Sequence, residues 1–161
     1  MKPFKVLVCG GRNYGYKLDK QGKIVVIEEE RNHIYKTLSD LGGKCFGDKP
    51  NPSWMPRPDL EIISGMAMGA DTVAVDWASS NWVKVHCFPA EWTDLSHPDA
   101  VIRKRQDGTL YDAKAGFRRN TKMLVEGQPD LVLAFPGGKG TAMMVKLARD
   151  SGVAVEELKR P

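Results

Sequence analysis

Cysteine is scarce in this chain: Cys9, Cys45 and Cys87 are an odd number, and no two have the two-residue spacing of a zinc or redox pair. Reduced thiols are expected, with Cys9 and Cys87 acting as small hydrophobes in their apolar runs. Long apolar runs are also missing. None approaches the ~20 residues that a spanning helix requires, so no membrane partner is expected. The start, "MKPFKVLVCGG", passes straight into a strand-like segment without the apolar stretch of a secretory signal, which predicts a cytoplasmic protein. Histidine is limited to His33, His86 and His97, scattered and without clustered carboxylates, so neither a metal nor another cofactor is expected. No nucleophile-elbow serine motif, internal repeat or low-complexity tract occurs. Nor does one sign of charge dominate: 24 basic residues against 20 acidic ones leave +4, with a pI near 9.0. That excess is compatible with phosphate-bearing partners and too small to specify nucleic acid.

What is present is ordinary globular composition, 42% hydrophobic and 27% charged over 161 residues. A chain of this length buries roughly two-thirds of its unfolded surface, and one domain over 1–161 is expected. Short apolar runs at Phe4 to Cys9, Leu60 to Ser64, Lys84 to Phe88, Leu131 to Phe135 and Val153 to Leu158 predict strands. Helical periodicity falls between them, at Val25 to Leu41, Ala70 to Ser80, Gly116 to Glu126 and Gly140 to Asp150. Ala70, Val73, Ala74, Trp77 and Ala78 recur at i, i+3, i+4, i+7 and i+8 and draw one apolar stripe. Nearly continuous apolar strands alternating with helices predict an α/β fold: a Rossmann-like, mostly parallel sheet of about five strands with helices on both faces. Two segments interrupt the pattern. The proline-rich "GDKPNPSWMPRPD" (47–59) reads as an irregular connection. The segment 93–115 carries Asp107-Gly108 between alternating residues and reads as a hairpin-like insertion, a lid or an edge decoration.

In an open parallel sheet the carboxyl ends of the strands share one edge, where ligands bind. Three of the four turns at that edge are glycine-rich: "GGRNYG" after the first strand, "GMAMGADT" after the second and "PGGKGT" after the fourth, with "PAEW" after the third. Glycines let amides wrap an anion, and a helix start adds unpaired donors and partial positive charge. For Gly10 and Gly11 a tight strand-to-helix turn is an equal explanation. In the last loop, Pro136, Gly137, Gly138, Gly140 and Thr141 read as a phosphate cradle, with Lys139 screening charge or simply solvated. It is not an ATPase phosphate loop, because Lys139 is followed by glycine rather than Ser or Thr, and "CGGRNYG" fits the dinucleotide fingerprint poorly.

Taken in order, "GGRNY", "SGMAMGADTVAVDWA", "FPAEW", "GFRRNTKML" and "PDLVLAFPGGKGTAMMVKLA" resemble the SLOG superfamily, and within it the YspA-like, cpYpsA-related branch common in bacteria and phages. That superfamily includes the lysine-decarboxylase-like phosphoribohydrolases and the DNA-processing proteins. The resemblance covers nearly the whole chain apart from 16–23, the proline segment and the hairpin. It implies a pocket for a nucleotide or nucleotide-derived ligand, with phosphate at the last glycine loop. It also implies an arginine on the preceding helix, matched here by Arg118 and Arg119, one clamping the ligand and the other surface charge. Where the phosphoribohydrolases carry a glutamate after Pro-Gly-Gly-x-Gly-Thr, this chain has Met144, and a thioether exchanges no protons.

The remaining candidates have two readings each. Asp71 is a first-turn acid of its helix or a ligand acceptor. Glu91, after the third strand, is the leading substitute general acid or base, with Asp71 as the other. Arg12 grips the anion or is solvated; Trp92 stacks on a base or packs under the hairpin; Asn120 bonds the ligand or caps a turn. Gly65 and Gly69 belong to the second loop. Met143 and Met144 are core. Three functions follow: binding or sensing of a nucleotide-derived small molecule, hydrolysis of its N-glycosidic or phosphate bond, and single-stranded nucleic-acid binding through Arg103-Lys104-Arg105, where only Tyr111 is available to stack. A homo-oligomer is a further open partner.

Overall fold

The computed structural model describes residues 2–47 and 55–161, so most of the proline-rich connection lies outside the described residues. In chain order, β1 (Phe4–Cys9), β2 (Tyr16–Leu18) and β3 (Ile24–Val26) precede α1 (Glu28–Phe46). Next come β4 (Arg57–Ser64), α2 (Ala70–Ser80) and β5 (Val83–Cys87), then β6 (Ile102–Lys104), β7 (Leu110–Asp112) and α3 (Ala115–Val125). β8 (Leu131–Ala134), α4 (Lys139–Asp150) and β9 (Ala154–Glu157) complete the chain.

β5, β4, β1, β8 and β9 form one parallel sheet in that order. β1 is central and covered on both faces, which is why its apolar run is unbroken: Val6, Leu7 and Val8 have no exposed surface. Successive side chains point to opposite faces. Val6 and Val8 join Leu60, Ile62, Ile34 and Trp77 in the core beneath α1 and α2, while Leu7 and Cys9 join Val132, Met123, Met144 and Val145 beneath α3 and α4.

Topology places the crevice. From β1 the chain builds outward through β4 to β5, then returns to the other side of β1 and builds outward through β8 to β9. The turns after β1 and β8 therefore diverge to opposite faces, and the gap between them is the topological switch point where open sheets hold ligands.

Two sequence expectations are corrected. The first helix does not begin at Val25: Ile24, Val25 and Val26 pair with Leu18, Lys17 and Tyr16 in an antiparallel hairpin. Asp19 closes its turn, accepting from the amides of Gln21 and Lys23 through Oδ1 at 2.8 Å each, and Gly22 takes φ 78°. The helix also runs past Leu41 to Phe46, because Gly42 lets the Phe46 ring and Trp77 approach its backbone and Phe46 is buried in the core. The other helices and the strands of the main sheet fall close to their expected positions, and the insertion contains the expected hairpin, β6 with β7. Among the described residues no helix is long and apolar enough to cross a membrane.

Candidate functional site

The turns after β1 and β8 are tied together before any ligand is considered. The Gly11 amide donates to the Pro136 carbonyl at 2.9 Å, and the Ala70 amide at the start of α2 donates to the Gly11 carbonyl at 3.2 Å. This contact demands glycine. A Cβ on Gly10 would lie 2.6 Å from the Ala70 Cβ, and one on Gly11 would lie 2.9 Å from the Pro136 carbonyl oxygen. Gly69, at φ 81°, abuts the backbone of Gly11 and Arg12. Gly69 at the start of α2, with Gly10 and Gly11 in the first loop, thus lets that helix pack against the loop.

α4 begins differently. No side chain caps it, and the amides of Gly138, Lys139, Gly140 and Thr141 donate to no protein acceptor among the described residues. All four residues line a cavity of about 920 Å³ in the switch-point crevice. A Cβ on Gly138 or Gly140 would meet nothing within 4 Å. Pro136 and Gly137 lie behind them as support: the Gly137 Cα side faces Thr141 and the Gly11 amide, and neither residue lines the cavity. On the carbonyl side of this turn Gly138 accepts from the Ala142 amide at 3.1 Å, and Asn120 Nδ2 donates to the Gly140 carbonyl at 3.4 Å and fixes α3 to α4.

Charge at the cavity is mainly positive. Arg12, Lys139, Lys114 and Arg119 line it, against Asp71 and Asp99. Arg12 lies over the Trp92 ring, 5.4 Å from its centroid, and pairs with no carboxylate among the described residues. Arg119 is likewise free of a salt bridge. It donates from Nη1 to the Gly65 carbonyl and from Nε to Asn120 Oδ1 at 2.9 Å, an arrangement that aims the guanidinium without neutralising it. Burial lowers its pKa and the nearby Asp71 partly restores it. The apolar part of the lining comes from Trp92, Phe117, Met123, Met143 and Met144. Such a cavity suits a ligand with an anionic end and a flat or apolar end, and its volume lies in the ~300–1,000 Å³ range that encloses small molecules.

Asp71 is the buried acid of the site, 6% exposed. Its Oδ2 accepts from the Ala67 amide at 3.3 Å, and its helix lacks a side-chain cap, so it braces the preceding loop rather than capping α2. Burial pushes its pKa up to about 6, against the opposing influence of the Ala67 and Gly65 amides and of Arg119 and Arg12. Cys9, beside it on the floor, is held as a neutral thiol: burial and the Asp71 charge both raise its pKa.

The two adjacent arginines separate here. Arg118 turns away from the cavity and donates to Asp112 and, at 2.9 Å, to Asp99. Asp112 also accepts from the amides of Val101 at 3.0 Å and Lys114 at 2.9 Å, so this cluster anchors the insertion to α3. Glu91 is exposed and does not line the cavity. Gly65 backs Arg119 from a neighbouring recess. Trp92 packs under the hairpin, edge-on to Tyr111 at 6.4 Å, and still forms part of the cavity wall. Tyr111 in turn is covered by Arg105 at 4.6 Å, which leaves that ring engaged.

Sequence reasoning missed Phe117, Met123 and Lys114 as cavity residues. Phe117 had a legible signal: it is a large apolar residue directly before the arginine pair, and at 52% exposure it lies outside the core stripe of α3. Met123 had none, since a methionine at helical spacing reads as core. Among the described residues no group of three or more His, Cys, Asp or Glu side chains could hold a metal ion. Against known proteins, the chain matches no family model, no characterised protein and no solved structure.

Proposed function

We propose that this protein binds a phosphorylated, nucleotide-derived small molecule at the switch-point crevice. One observation carries the reading: the unpaired amides at the start of α4 and the unpaired guanidiniums of Arg12 and Arg119 line the same cavity. Free amides at a helix start, with the partial positive charge of its dipole, make an anion site. Arginine adds a planar fork that matches phosphate oxygens. The apolar wall of Trp92 and Phe117 offers faces on which a base can stack. The motif resemblance to the SLOG superfamily supports the same ligand class.

The test is calorimetric titration with adenosine, uridine, guanosine and cytidine mono- and diphosphates. At least one is expected to bind with a Kd tighter than ~1 mM, about 4 kcal/mol. Absence of binding across the whole panel overturns the proposal.

Asp71 favours a second reading, hydrolysis of the ligand's N-glycosidic or phosphate bond. A buried carboxyl titrating near 6 in a cavity can exchange protons at neutral pH, which Met144 at the superfamily's glutamate position cannot. Chromatography of nucleotides incubated with the protein is expected to show free base or released phosphate, lost in Asp71→Asn. Unchanged nucleotide after long incubation removes this reading and leaves binding alone.

A further inference from the structure

Arg12 and Arg119 both line the cavity, and they are held there in different ways. Arg119 is aimed by hydrogen bonds to the Gly65 carbonyl and to Asn120, whereas the Arg12 side chain has neither a hydrogen bond nor a carboxylate partner among the described residues. Burial is the first cause of the lowered Arg119 pKa and the charge of Arg12 lowers it further, so the two guanidiniums repel each other. Fixing a long arginine side chain in one place also gives up rotamer freedom. Both effects drive Arg12 out towards solvent.

One ring opposes them. The Arg12 guanidinium carbon lies 5.4 Å from the centroid of Trp92, within the ~6 Å over which a ring face attracts a cation, and tryptophan offers the strongest such face. That ring is itself held. The Trp92 carbonyl accepts from the Asp112 amide at 2.8 Å, which ties the residue to the end of β7. Tyr111 packs edge-on to the indole at 6.4 Å and carries Arg105 over its own ring at 4.6 Å. From α3, Gly116 comes so close that a Cβ there would lie 2.9 Å from Trp92 Cη2.

We infer that Trp92 is a positioning residue: the insertion and α3 hold its indole so that the ring face keeps the Arg12 guanidinium at the cavity, ready for an anion. This rests on the proposed function and gives Trp92 a role distinct from packing under the hairpin and from stacking on a base. Packing predicts lost stability with no specific loss of affinity. Stacking predicts an affinity loss that is independent of Arg12. Positioning predicts a loss that runs through Arg12.

Two measurements test this. The first is nuclear magnetic resonance of the protein without ligand. The δ and ε protons of Arg12 are expected to show Overhauser contacts to the Trp92 indole and an upfield ring-current shift, which disappears in Trp92→Leu. Arg12 signals without those contacts overturn the inference. The second is a double-mutant cycle by calorimetry, using whichever of the adenosine, uridine, guanosine and cytidine mono- and diphosphates binds tightest. Trp92→Leu is expected to weaken binding about fivefold in the parent and less than about twofold in Arg12→Ala. Trp92→Phe, which keeps a ring face, is expected to recover most of the loss. Equal losses in the two backgrounds, or no loss in the parent, overturn the inference. Circular dichroism establishes that each variant is folded, and Trp92→Met takes the place of Trp92→Leu if the latter is not. Absence of binding by every nucleotide overturns the proposed function, and the resonance measurement still decides whether Trp92 holds Arg12.

Discussion

Arg118 donates through Nη2 to the carboxylate of Asp112, a side chain wholly withdrawn from solvent, and the adjacent Arg119, which lines the cavity, donates instead to the Gly65 carbonyl. One turn of α3 thus carries a strut and a cavity-lining cation side by side.

The first prediction separates them. Arg119→Lys keeps the charge and loses the fork, and nucleotide affinity is expected to fall about tenfold by calorimetry with little change in Tm. Arg118→Ala is expected to do the reverse, lowering Tm and loosening the insertion while affinity changes less than about threefold. Burial alone would raise the Asp112 carboxyl, but the bond from Arg118 and the amides of Lys114 and Val101 hold it below the usual range. A carboxyl lowered in the folded state stabilises above its unfolded pKa, and that contribution is lost as pH falls through the folded value. Proteolysis within 93–115 is therefore expected to accelerate first at strongly acidic pH, and earlier in Arg118→Ala.

Glycines in the last loop divide into support and contact. Gly137→Ala places a methyl against Thr141 Oγ1 and 2.7 Å from the Gly11 amide, and Gly69→Ala adds strain at φ 81° to a collision with the first loop. Each is expected to cost more than about 2 kcal/mol in denaturant unfolding. Gly138→Ala meets open space and is expected to unfold within about 1 kcal/mol of the parent. Its methyl occupies room beside the free amides, so nucleotide affinity should still drop, by about tenfold.

Asp71 predicts a pH signature. Its folded pKa of about 6 lies above the ordinary value, so the neutral form is favoured on folding. The stability this confers is full below about pH 4 and is lost as pH rises through 6, a decline of about 3 kcal/mol. Asp71→Asn is expected to flatten that decline, raising Tm at pH 7.5 by several degrees and leaving it near the parent value at pH 4. Ligand phosphate at Arg119 and Arg12 offsets the positive charge that holds the Asp71 pKa down, so binding near pH 6.5 should take up a proton. Titrations in two buffers of unequal ionisation enthalpy read this directly, and equal heats would contradict it.

Thiol reactivity follows from burial. Cys87 is exposed, Cys45 is half-buried and Cys9 is buried, with the Cys9 thiol pushed well above its ordinary pKa. Ellman's reagent is expected to modify Cys87 first, Cys45 slowly, and Cys9 only after unfolding. Rapid labelling of a third thiol in the native protein would show that the cavity floor opens.

The sequence by itself determined the sheet and its edge. Strands covered on both faces must be apolar at every position, helices over them must repeat at 3.6, and turns where two loops and a helix start touch must be glycine. All three are local requirements, written at Val6 to Cys9, Ala70 to Ala78 and Gly10-Gly11. The hairpin at Ile24 to Val26 escaped because three apolar residues before a helix fit either element, and the pairing with Tyr16 to Leu18 chose between them. Only the tertiary structure decided which polar residues share the cavity. Glu91 and Asp71 both follow strands, yet one is exposed outside it and the other is sealed into it. Arg118 and Arg119 are neighbours in sequence and part because Asp112, brought in by a separate hairpin, claims the first. A side chain's partners and its desolvation depend on segments far away along the chain, and no local pattern of residues encodes them.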